Sequence, residues 1–164
     1  MLHLKEMPQR VKAFFEKVEP SWKNISVQNY EVMTGGYSRL LARADIAHDG
    51  VVSTFVLRGD PPADKSLLYT SRVQEYELLR TVGDAGVRTP HAVYFDATGE
   101  DLGTCAIVMD FSHSTSFLPY VAAGNSIEGL NVRLAEAIAS YQSIPLSSLP
   151  ASMERPTRWD AYMT

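Results

Sequence analysis

The residues of this chain best suited to chemistry are a cation, a carboxylate and a pair of glycines. Arg58 ends an apolar run, "VVSTFVLR". Glu75 lies 17 positions on, in "SRVQEYELLRTVGD". Gly35 and Gly36 sit earlier, in "VMTGGYSRLLARADI". Glu75, Leu78, Leu79 and Val82 are spaced i, i+3, i+4, i+7, so the carboxylate lies in line with a helix's apolar stripe. Two readings fit that placement. In one, Glu75 is buried and must meet a cation, because an uncompensated buried charge costs several kcal/mol; Arg58 is the candidate. In the other, it sits at the stripe's edge and complements the helix N-terminal dipole. The glycines also have two readings, and alone they are a weak signal. They suit a plain hairpin turn, since glycine tolerates positive φ, or a backbone flap over phosphates. Taken in order, flap, cation and carboxylate are the parts of a kinase-type nucleotide site, in which the cation touches phosphate and the carboxylate orients the cation.

Other reactive residue types carry less. "HDG" at 48–50 falls in a tight turn and "DFS" at 110–112 follows an apolar strand, so neither is in a catalytic setting. His3, His91 and His113 are isolated, with no metal-pair spacing. Cys105, the single cysteine, lies in an apolar run with no activating neighbour and reads as core.

The elements that must position these residues are legible from periodicity. Val11, Phe14, Phe15 and Val18 form a helical stripe, with Pro8 in its first turn and Pro20 at its end. "ISVQNYEV", "SRLLARADI" and "VVSTFVLR" read as three strands; Asp49-Gly50 is the hairpin signal between the last two. A helix over residues 71–84 follows two prolines. Ser71 and Gln74 have capping-box spacing, and Gly83 and Gly86 mark its stop. "TPHAVYFD" is a fourth strand. "TCAIVMDF", apolar nearly throughout, is a fifth and interior one. A long helix is expected over about 127–143, capped by Asn125 and Glu128, with Leu130, Leu134, Ile138 and Tyr141 on its apolar face. The fold class expected is α+β: a five-stranded, mostly antiparallel sheet with one packed helix, since most strand connections are too short for parallel crossovers.

Composition sets the bounds. Of 164 residues, 45% are apolar and 21% charged, enough to bury a core. A net charge of -4 argues against a nucleic-acid surface. No apolar run approaches the roughly 20 residues of a membrane span, and a single cysteine fits a cytoplasmic setting.

The segments "MTGGYSRLL", "FVLRGDPP", "VQEYELLRTVGDAGVRTPHAVYFD", "LGTCAIVMDFS" and "LAEAIASYQSIPLSSLP" together resemble the N-terminal portion of the aminoglycoside phosphotransferase family, which has a protein-kinase-like fold and is also similar to choline and homoserine kinases. The resemblance spans about residues 25–150. It implies an N-terminal helical extension (1–21), a nucleotide-binding lobe (22–112), and a linker with the start of a helical second lobe (113–164). It implies that Gly35, Gly36, Tyr37 and Ser38 form the flap over the triphosphate. Arg58 stands where the family usually has lysine, and Glu75 matches the helix glutamate. Met109 matches the residue behind the adenine pocket. Asp110, Phe111 and Ser112 match the hinge whose backbone bonds adenine, with Val32, Leu40 and Val56 lining an apolar slot. The implied function is ATP-dependent phosphorylation of a small-molecule hydroxyl, with magnesium. The family's "HGD" loop, asparagine and second aspartate would lie beyond Ser143, so the resemblance implies a truncated lobe, inactive alone, whose exposed face could form a homodimer. A non-catalytic kinase-like interaction module and an unrelated α+β binding domain are the competing expectations.

Overall fold

The computed structural model describes residues 5–33, 39–60, 71–114, 117–151 and 153. Helix α1 (Met7–Val18) leads into strands β1 (Ser26–Met33), β2 (Leu40–His48) and β3 (Val51–Gly59). Helix α2 (Arg72–Asp84) follows, then β4 (Ala92–Asp96) and β5 (Ala106–Asp110), with helices α3 (Phe117–Ala122) and α4 (Leu130–Gln142) and a 3-10 turn at Leu146–Ser148. The sheet order is β1-β2-β3-β5-β4, and every neighbouring pair is antiparallel. The α+β class therefore holds, and β5 is interior as its apolar sequence requires.

Local chemistry sets the joints. Asp49 and Gly50 take φ of 48° and 83°, the two left-handed residues of a type I′ turn. Ser71 caps α2, its side chain accepting from the Gln74 N–H at 3.3 Å. Gly83 stays inside the helix, where the His91 ring lies over it and would stand 3.1 Å from an added Cβ; the chain turns at Gly86, with φ +79°. Asp96, 5% exposed, closes the β4–β5 turn by accepting from the N–H groups of Gly99, Asp101 and Leu102.

The main core lies on one face of the sheet. There Met7, Val11, Phe14 and Phe15 of α1 pack on Ala42, Ala44, Ile46, Phe55, Leu57, Ala106 and Val108. Phe15 is surrounded by rings: Phe14, Trp22, Phe55 and Tyr94. Helix α1 is thus a layer of the fold rather than an extension beside it, and the sheet carries two packed helices, not one. The reason is the sheet's own sidedness. Two apolar faces need two covers, and α2 lies on the opposite face, stacking Tyr76 on Phe95 at 4.8 Å.

Helix α4 begins at Leu130, three residues later than its spacing suggests. Gly129, with φ 73°, is its N-cap; Asn125 instead donates to the Tyr120 carbonyl at 2.8 Å. Neither α3 nor α4 buries a side chain, so the face of Leu130, Leu134, Ile138 and Tyr141 is exposed. No helix among the described residues is long and apolar enough to cross a membrane.

Candidate functional site

The side chain of Arg58 projects from the end of β3 onto the α2 face. Strand alternation puts Val56 and Arg58 on one face and Phe55 and Leu57 on the other. Arg58 pairs in register with Leu41 and Ile107, Val56 with Arg43 and Met109. Ser71 starts α2 so that Glu75 falls in its first turn, above Arg58. The Arg58 Nε–H donates to Glu75 Oε1 at 2.7 Å. The need for a cation read from Glu75's place in the stripe is met by the residue expected to meet it.

The second oxygen of Glu75 has its own partner. Arg72 Nη1 pairs with Glu75 Oε2, and Arg72 Nε lies 2.8 Å from Asp60 Oδ1. The Arg72 side chain is 6% exposed, against 34% for Arg58. Burial pulls the Arg72 guanidinium below its ordinary pKa; Asp60 opposes the shift, while Arg39 and Arg58 add to it. An arginine stays charged regardless. Sequence reasoning missed Arg72 and Asp60. The signal was there: Arg72 precedes Glu75 by three residues, the spacing at which helical side chains meet.

Met109 lies across the β3–β5 pairing from Val56, on the face of Arg58. The two other residues expected in the apolar slot do not join them. Val32 and Leu40 have the opposite parity: Val32 pairs with Ala42, and Leu40 lies with Met7, Leu57 and Leu102 on the α1 side. Met33 and Leu41, one residue along, share the face of Arg58.

Two N–H groups of the expected hinge have partners within the sheet. The Asp110 N–H donates to the His91 carbonyl at 3.0 Å and the Phe111 N–H to the Thr54 carbonyl at 3.3 Å. Both donors hold the strand. The Phe111 ring carries the Arg43 guanidinium 4.8 Å from its centroid. Arg43 in turn reaches Asp45 Oδ1 through Nε and Nη2, and the Thr54 hydroxyl donates to the same oxygen at 2.7 Å. That hydroxyl is the first cause holding the Asp45 carboxyl below its usual range; Arg43 adds to it, while burial opposes.

No family model matches the chain, and no curated protein matches it significantly.

Gly35, Gly36, Tyr37 and Ser38 lie outside the described residues. The strands that flank them are paired up to Met33 and Leu41, and Leu41 is opposite Arg58. The described ends of β1 and β2 thus lie at the end of the sheet that carries Arg58. At the far end, "HDG" is a structural turn: His48 stacks on Trp22 at 3.5 Å, and its Nε2 meets Ser53 Oγ at 2.9 Å. Burial, then Asp60, pushes the Cys105 thiol up, the opposite of what a nucleophile needs. Among the described residues, no three His, Cys, Asp or Glu side chains gather as a metal site. What the site can do is hold a guanidinium by one edge beside an apolar strip, an arrangement suited to orienting an anion.

Proposed function

We propose that residues 22–112 form the nucleotide-binding lobe of an ATP-dependent phosphotransferase acting on a small-molecule hydroxyl, of the aminoglycoside phosphotransferase kind. The observation that carries this reading is the Arg58–Glu75 bond at 2.7 Å, on the same sheet face as Val56 and Met109. It supports the resemblance because the carboxylate grips Arg58 through Nε, and the Nη groups are the ones that would meet phosphate oxygens. Val56, Met109, Met33 and Leu41 would line the base, and Ser112, past the two amides that hold the strand, would bond it. ATP would enter as its magnesium complex; none of these residues is assigned as a metal ligand, and none is a catalytic base. They bind and orient.

The test is titration of the protein with MgATP, read as amide and side-chain NMR shifts. Movement centred on Val56, Arg58 and Met109, abolished by Arg58→Ala with the fold kept, supports the reading. Shifts confined elsewhere refute it.

A non-catalytic interaction module is the second reading. It is favoured by one observation: two arginines and two carboxylates balance in the Arg58–Glu75–Arg72–Asp60 group. Stability lost in Arg58→Ala, with no nucleotide bound by either form, supports this alternative.

A further inference from the structure

We propose that Arg72, anchored by Asp60, is a positioning residue that holds Glu75 in place against Arg58. The four charged groups form a closed circuit. It leaves β3 at Arg58, crosses to α2 through Glu75, returns through Arg72 and ends on Asp60, two residues beyond Arg58. A single ion pair would let the Glu75 side chain turn about one contact, and its two long side chains would lose entropy for little gain. Two tethers stop that rotation. Their footings match in scale: three helical residues rise about 4.5 Å, and two strand residues span about 6.6 Å.

The anchor is itself fixed. The Asp60 N–H donates to the Cys105 carbonyl at 3.3 Å, and the Thr104 hydroxyl donates to the Asp60 carbonyl at 3.3 Å. Between Arg58 and Asp60, a Cβ on Gly59 would lie 2.7 Å from Thr104 Cγ2, so the chain lies close against that segment. Asp60 thus offers its carboxylate from a pinned backbone.

Exposure divides the labour. Arg72 is 6% exposed and faces two carboxylates; Arg58, at 34%, is the accessible guanidinium. Arg72 therefore acts on Glu75 and not on a ligand. By occupying Oε2 it confines Arg58 to Oε1, which keeps Glu75 from rotating both oxygens onto Arg58. Only a planar fork spans two carboxylates on different elements in this way; a lysine ammonium is a single point of charge. The consequence for ligand affinity rests on the nucleotide reading above, whereas the clamp itself does not.

The test reads the Arg58 Nε–H directly. Its hydrogen exchange is followed by NMR in the free protein and in Arg72→Met, Arg72→Lys and Asp60→Asn. A core variant, Phe14→Ala, serves as a control for lost stability. If Arg72 positions Glu75, exchange at Arg58 Nε quickens by about tenfold in Arg72→Met and Asp60→Asn. Arg72→Lys fails to restore it, and the control leaves it unchanged at matched stability. MgATP affinity falls by a similar factor in the same variants. Exchange that stays at the wild-type rate in Asp60→Asn overturns the clamp, and this variant decides the matter if Arg72→Met does not fold. A wild-type protein that binds no nucleotide sinks the nucleotide reading, and the exchange rates still decide the clamp.

Discussion

Arg58 and Glu75, 17 residues apart in sequence, meet at 2.7 Å between the end of β3 and the first turn of α2. The bond is lopsided. Glu75 has a second cation in Arg72, while Arg58 is one-third exposed. Removing either partner therefore has different consequences.

Replacing Glu75 by Gln takes the shared carboxylate from two arginines, one of them buried. The expected loss is about 3–5 kcal/mol of stability. Replacing Arg58 by Ala leaves Glu75 paired with Arg72 and should cost about 1 kcal/mol or less. Urea denaturation of both variants measures the difference; equal losses would contradict the shared-carboxylate arrangement.

Phe15 is fully buried among four aromatic neighbours on the α1 face. Phe15→Ala should cost about 3–5 kcal/mol, as for other large aromatic truncations. Deleting residues 1–21 removes Met7, Val11 and Phe14 as well, and should leave a chain without cooperative thermal unfolding. A deletion variant that still melts sharply would mean that α1 is dispensable to the core.

Two glycines with similar φ should respond differently to alanine. Gly50 (φ +83°) has open space around it, so Gly50→Ala should cost only the left-handed backbone term, about 1 kcal/mol. At Gly99 (φ +76°) the new Cβ would lie 2.6 Å from the Thr104 carbonyl carbon. Backbone must move there, and the expected cost is about 3 kcal/mol. Thermal melts of the two variants rank them.

Asp45 gives the fold an acid limb. Its pKa is depressed in the folded state, so folding favours the carboxylate. That contribution is complete above the ordinary value of 3.8 and is lost as pH falls through the lower folded value. Thr54→Val removes the first-named cause and should move the Asp45 carboxyl titration upward, as carbon NMR of the side chain would record. It should also reduce stability at neutral pH by about 1 kcal/mol. An unmoved titration would assign the depression to Arg43 instead.

Much of this protein was legible before its structure, where the physics is local. Asp49-Gly50 makes a turn because two adjacent residues accept positive φ. Ser71 starts a helix because its side chain reaches an amide three residues on. Phe14 and Phe15 are apolar at helical spacing whatever they pack against. Glu75's place in one stripe allowed two settings, a buried ion pair or a helix-dipole contact at the stripe's edge, and the fold chose the pair with Arg58. Only the tertiary structure decided what the stripes met. Strand register set Val56 with Arg58 and sent Val32 and Leu40 to the other face, because a one-residue offset reverses every side chain. Chain folding brought Asp60 to Arg72 and laid α1 across the sheet as its main cover. Those outcomes depend on which surfaces remain to be buried once the sheet has formed, a property of the assembled layers that no short window of residues contains.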